Sequence, residues 1–348
     1  MSYLSKERRF LLWSHAAALL VHTISTAFAW DITNRFEQTS DLVVPMFSFQ
    51  NANSVVTSDS LFQSRAISWI ALNETITALA HVAALIIIGL NSKQADMYES
   101  IRRWGSYAIT AGLLECAIVI ALGNTQFFGI VFLLVANVIL QSFGYLIDWE
   151  VTPSKRAFYF IAGLLLFLAE AIYVGVLASN TTGLADTLPV NFKSLGVLYG
   201  LFYASFGICQ LFRQLRGGAC VKVANPRRCC GTLQPDGVFV LLSITSKIVL
   251  SWSLIGIILT GYKNLGVNTP WPETNFEAAQ YGILIASGVV FVLGLVLNHY
   301  FSGNDEYVEV NQTDTTDTTE HHVHEIDYHR RAMGSAIGEI PLKRKIRF

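Results

Sequence analysis

Lys247 stands in the stretch LLSITSKIVLSW, residues 241 to 252, inside an apolar run long enough to cross a bilayer. An ammonium at that depth costs about 2.5 kcal/mol or more, so its presence calls for a chemical reason. Ser243 and Ser251, four residues before and after it, share its helix face, and Trp252 follows. Other ionisable residues at membrane depth are few: His22, Glu74, His81, Glu115 and Glu170. Glu74, Thr77 and His81 follow an i, i+3, i+7 pattern, with the small Ala78 completing that face. Arg103, Ser106, Tyr107 and Thr110 form a second polar stripe. Polar groups from several helices thus point toward one cavity.

Three chemistries compete for a lysine so placed. An ion pair with Glu74, Glu115 or Glu170 would fix helix packing. A transporter lysine would couple its proton to substrate movement. A lysine can also condense with an aldehyde to form a Schiff base. Spacing does not separate the three. The covalent reading requires an apolar, aromatic-rich interior, which Tyr107, Tyr173, Phe202, Phe206 and Trp252 can supply.

The elements that must position these groups are membrane helices. The chain has 348 residues, 52% hydrophobic and 14% charged, a balance that one soluble core could not hide. Its net charge of -1 and the lack of a basic stripe argue against nucleic acid. No nucleophile–base pair, metal-ligand spacing or phosphate loop stands out, so an enzyme is not expected. Apolar runs of about 20 residues fall near 10–30, 66–90, 104–122, 125–147, 157–178, 195–215, 237–261 and 279–300. The basic start reads as a retained anchor, because its apolar run is too long for a cleaved signal peptide.

Lys and Arg gather before the first run and in the second-to-third, fourth-to-fifth and sixth-to-seventh connections. The rule that such loops stay inside places the N-terminus in the cytoplasm and, after eight spans, the C-terminus there too. The expected organisation is an all-α bundle of seven helices over 1–262, an outer loop and eighth span over 263–301, and a polar tail over 302–348. The tail's composition suggests disorder, and EHHVHE within it reads as an adventitious metal binder. Residues 31–65 carry β-branched and aromatic residues around turn formers, which suits a small outer β-ribbon. The five cysteines lie in helices or on the reducing side, where disulfides are not expected. Asn180 in NTT is a weak glycosylation signal.

The seventh-helix segment, with Ser243 one turn before the lysine and Trp252 five residues after it, resembles the heliorhodopsins, retinal-binding proteins of seven helices. RRWGSY at 102–107 is similar to that family's Arg-Trp-x-Glu-Tyr, and LLVHTIS, ITALAHVA and VANVILQ match helices one, two and four. The resemblance implies a light-responsive membrane photoreceptor with all-trans retinal attached to Lys247. It places His22, His81, Ser243 and Thr77 around the Schiff base, Tyr107 and Trp252 on the polyene, and Asn137 in the pocket. Tyr173, Phe202 and Phe206 join that pocket by helix position. The family's inverted topology agrees with the loop charges, and its outer ribbon implies a homodimer. Light-driven or light-gated ion movement is the alternative, motivated by the intramembrane carboxylates.

Two departures stand out. The family's Glu counterion position is Ser106 here, and the eighth span lies outside the seven-helix plan. An opposite charge at about 4 Å is worth about 4 kcal/mol at an effective dielectric of about 20, so its loss must be compensated. Glu74 can substitute, an anion can bind near Ser106, Arg103 and the histidines, or the Schiff base can be unprotonated. Glu115, nine residues from Ser106, is expected on the opposite face.

Overall fold

The computed structural model describes residues 6–37, 44–46, 62–64, 66–89, 95–122, 127–150, 152–180, 191–220, 235–264 and 273–302. Eight helices run through them: α1 (Lys6–Glu37), α2 (Ala66–Gly89), α3 (Ala95–Ala121), α4 (Phe127–Trp149), α5 (Pro153–Asn180), α6 (Asn191–Cys220), α7 (Pro235–Asn264) and α8 (Glu273–Ser302). The starts are set by local chemistry. Pro153 and Pro235 occupy first helical positions, where a missing N–H costs nothing. The Thr152 carbonyl accepts the Arg156 amide at 3.0 Å, while the Thr152 amide donates to Glu150 Oε1 at 2.9 Å. Asp236 in the first turn of α7 complements the helix dipole.

Lipid offers no hydrogen bonds, so hydroxyls within the helices turn to the backbone. Ser14, Thr33, Thr75, Ser142 and Thr245 return their hydroxyls to the carbonyl one turn back. Seven helices are long and apolar enough to span a membrane, α8 among them; α6 contributes a shorter apolar stretch, Gly196–Leu211.

Consecutive helices pack side by side from α1 to α8, α7 closes the ring against α1, and α3 reaches α7. Burial separates the centre from the periphery. About 72% of the apolar cores of α3 and α7 is buried, against 17% for α5 and α8, so α3 and α7 are the elements able to hold a site rigidly. A short antiparallel ladder pairs β1 (Val44–Met46) with β2 (Phe62–Ser64), Pro45 opposite Gln63.

The chain divides at residue 304, and the described residues all belong to the first compact unit, α8 included. The polar tail with EHHVHE, Cys229 and Cys230 and the side chains of Cys220 and Asn180 lie outside the described residues. Buried Cys116 and Cys209 form no disulfide.

α8 fits against α1 and α7 through glycines. Gly294 faces Leu241, Gly237 faces Phe10 and Asn298, and Gly256 faces Gln280, whose Nε2 donates to the Trp252 carbonyl at 3.0 Å. A Cβ at Gly294 would enter the Leu241 side chain, whereas one at Gly288 meets nothing within 4 Å. Gly294→Ala is therefore expected to cost about 1–3 kcal/mol through overpacking. A thermal scan of the detergent-solubilised protein checks this, with Gly288→Ala leaving the midpoint close to wild type.

Candidate functional site

Lys247 is only 7% exposed, at mid-length of α7. Its Nζ donates to Thr110 Oγ1 on α3 at 2.8 Å and to Thr77 Oγ1 on α2 at 3.1 Å, and lies 5.1 Å from the Tyr107 ring centroid. Among the described residues no carboxylate comes within ion-pair distance of it, so the simple packing salt bridge is not the arrangement found. Two hydroxyls and a ring face hold the amine in one direction, a hydrogen-bonded and cation–π setting for a group taken out of water. Thr110 in turn donates to the Ser106 carbonyl at 2.8 Å, and Ser106 donates to the Arg103 carbonyl at 2.9 Å. Both α3 hydroxyls thus spend their protons on their own helix.

Glu74 lies one turn from Thr77 on the same face of α2, fully buried. His22 Nδ1 is 2.7 Å from its Oε2; Ser251 donates to Oε1 at 2.7 Å and Asn73 at 3.3 Å. Ser25 also bonds this carboxylate and accepts the Trp252 Nε1 proton at 2.9 Å. Glu74 and Lys247 act on each other electrostatically without touching. Beyond Glu74 the histidines form a line. His22 and His81 stack with ring centroids 5.5 Å apart, and His81 Nδ1 meets His15 Nδ1 at 2.9 Å. His15 Nε2 lies 3.6 Å from Glu99, which grips Arg102.

On the opposite side of Lys247 a cavity of about 400 Å³ opens among α3, α4, α5, α6 and α7. Its wall is largely aromatic: Trp104, Tyr107, Phe167, Phe202, Phe206 and Phe239 line it, together with Lys247 and Ser243. The heliorhodopsin family model matches residues 10–259, the stretch that contains both the lysine and the cavity wall. The chain belongs to the heliorhodopsin family. Its members are retinal-binding membrane photoreceptors, and the volume falls within the range of about 300–1,000 Å³ usual for small-molecule sites. A largely apolar cavity with one buried primary amine in its lining fits a polyene aldehyde in size and donor chemistry. No individually curated protein matches the chain.

Of the residues that the sequence analysis grouped around the attachment point, Tyr107, Phe202, Phe206, Ser243 and Lys247 line this cavity. Trp252, Asn137 and Tyr173 do not. Trp252, fully buried, turns to α1, edge-on to Phe28 and bonded to Ser25. Asn137 hydrogen-bonds Glu115 and accepts from Tyr203 at 3.0 Å. Tyr173 packs edge-on against Phe132. Helix position fixed their depth but not their rotation about the helix axis. Trp104, Phe167 and Phe239 were missed, although an aromatic four residues before the seventh-helix serine is a one-turn pattern (Phe239, Ser243).

Two charged groups are placed. Arg103 donates to Asp236 at 2.7 Å and Asp148 at 2.8 Å, while its buried Nε has no hydrogen-bond partner among the described residues. Glu115 takes Asn137 and the neighbourhood of Tyr199, away from Lys247 as its helical phase required. Thr110, recognised only as part of a stripe, turns out to be the shortest hydrogen-bond partner of Lys247. His15 was missed because a histidine near a basic N-terminal start reads as interfacial.

Proposed function

We propose that all-trans retinal is held as a Schiff base on Lys247 and that its response to light drives a conformational signal through the bundle. The observation that carries this reading is the buried Lys247 in the lining of an aromatic cavity of about 400 Å³. Bound retinal supplies light absorption and a change of shape about a double bond. The protein's own residues do the rest. Thr77 and Thr110 orient Nζ, Tyr107 faces it, and the Trp104 and Phe239 rings, edge-on at 6.2 Å, stiffen the wall. Glu74, carried on the Thr77 face and held by His22 and Ser251, supplies the negative charge that Ser106 lacks. His22, His81 and Ser243 complete the polar surroundings of the attachment point.

The same reading places the α1 start and the chain's C-terminus in the cytoplasm, as the loop charges indicate. The β1–β2 ladder then belongs to the outer face, where it serves a homodimer. Purified protein given all-trans retinal is expected to form a visible band that is insensitive to chloride. If chloride alone restores the band, a bound anion replaces Glu74 in this account; if no pigment forms, the retinal reading is overturned.

A second reading, light-driven proton movement, is favoured by one observation: the line Glu74–His22–His81–His15–Glu99. The Nε2 atoms of His22 and His81 have no hydrogen-bond partner among the described residues, and a relay requires ring nitrogens able to take a proton. Photocurrents in voltage-clamped cells, abolished in His15→Phe with the pigment retained, would establish it. No current at any voltage leaves the signalling role.

A further inference from the structure

The cavity touches one charged centre that the attachment chemistry does not use. Asp148, at the end of α4 with its side chain only 6% exposed, collects donors from two other helices. Ser100, Arg103 and Trp104 of α3 donate to Oδ2 at 2.9, 2.8 and 2.7 Å, and Gln210 of α6 donates to Oδ1 at 3.2 Å. Arg103 extends the group to Asp236 at the start of α7. Trp104 belongs to both worlds. Its ring lines the cavity, and its only N–H is spent on Asp148.

The sequence of α4 builds this junction. Gly144 and Asp148 are four residues apart and so share a face. A Cβ at Gly144 would overlap the Trp104 ring, so the indole lies directly on the α4 backbone while Asp148, one turn on, takes its proton. The Arg103 guanidinium sits 5.5 Å from the same ring and 5.3 Å from Phe239, a second cavity residue. The ring cannot slide into α4, so a push from the cavity has to turn it. A turn of about 1 Å lengthens the indole bond beyond hydrogen-bond range. A buried carboxylate that loses a donor must rearrange its remaining ones. Of those, the 3.2 Å bond to Gln210 is the longest and ties α6.

We propose that Asp148 is a positioning residue that transmits changes in the cavity to α6: displacement of the Trp104 indole loosens the Gln210 bond and frees the Cys220 end of α6. This rests on the retinal reading above, and the readout separates the two. Full-length protein reconstituted with all-trans retinal is followed by hydrogen–deuterium exchange over 206–220, in the dark and under steady illumination. Wild type is expected to exchange about tenfold faster in the light, the factor one lost charge-assisted hydrogen bond supplies. Asp148→Asn, which lies off the cavity wall, is expected to keep the dark absorption band while exchanging fast in the dark, so that its light-to-dark ratio falls to about one. Trp104→Phe, retaining a ring but no N–H, is expected to give the same ratio of about one. Ser142→Ala, which removes an α4 hydroxyl bonded to the Val138 carbonyl rather than to Asp148, keeps the wild-type ratio. Pigment with no light-dependent exchange in wild type overturns the proposal, as does a wild-type ratio in either Asp148→Asn or Trp104→Phe. Absence of pigment in wild type instead overturns the retinal reading.

Discussion

Lys247→Ala is expected to abolish pigment formation entirely. Wild-type protein incubated with all-trans retinal and then reduced with borohydride should carry a retinyl mass on the α7 peptide containing Lys247, and the variant none. Retinal can still partition into the 400 Å³ cavity of the variant, so absorbance alone overstates binding; the covalent mass is the decisive quantity. The variant should remain folded. Removing the amine leaves Thr77 and Thr110 without this donor, but also relieves the desolvation of a buried cation. A folded variant that still acquires the mass at another lysine would overturn the assignment of the site.

Glu74→Gln is the second large effect. The carboxylate lies one helical turn from the threonine that holds Nζ, about 5–6 Å by helix geometry. A unit charge at about 6 Å with an effective dielectric of about 20 is worth about 3 kcal/mol to a cation at the attachment point. Losing it disfavours the charged, visible-absorbing form by about a hundredfold at fixed pH. The variant is expected to show its band mainly in the near ultraviolet at neutral pH and to regain the visible band on acidification. The sign follows from charge: removing an anion penalises the cation, so more protons are needed to restore it. Glu115→Gln is the contrast, because that carboxylate bonds Asn137 rather than the Lys247 group, and its visible band should stay. Equal spectra for wild type and Glu74→Gln would return the counterion question to a bound anion.

Much of this architecture is legible in the chain itself. Bilayer thickness dictates run length, so the helices announce themselves, and a lysine amid apolar residues can hardly be overlooked. Periodicity placed Glu74, Thr77 and His81 on one face, and the fold confirms that all three are buried. The failures share a cause. Periodicity gives the relative rotation of residues on one helix, but not which neighbour that face meets. Trp252 sits near Lys247 in sequence, yet it points to α1 because Ser25 and Phe28 are there to receive it. His15 and Asp148 stand toward helix ends, where charged groups normally reach water, so their burial becomes visible only once α1–α2 and α3–α4 pack together. Thr110 was in the polar stripe, but a threonine hydroxyl carries no charge to mark it as a lysine partner.

The glycine contacts between α7 and α8 bear on how this molecule can be instrumented. Gly237 and Gly256 lie ten residues before and nine after Lys247, so α8 grips the lysine-bearing helix on both sides of the attachment point. A fluorophore placed near residue 302 would ride on a lever geared to that helix rather than on an idle anchor. Light-dependent changes in its emission would report α7 motion without any probe in the chromophore pocket.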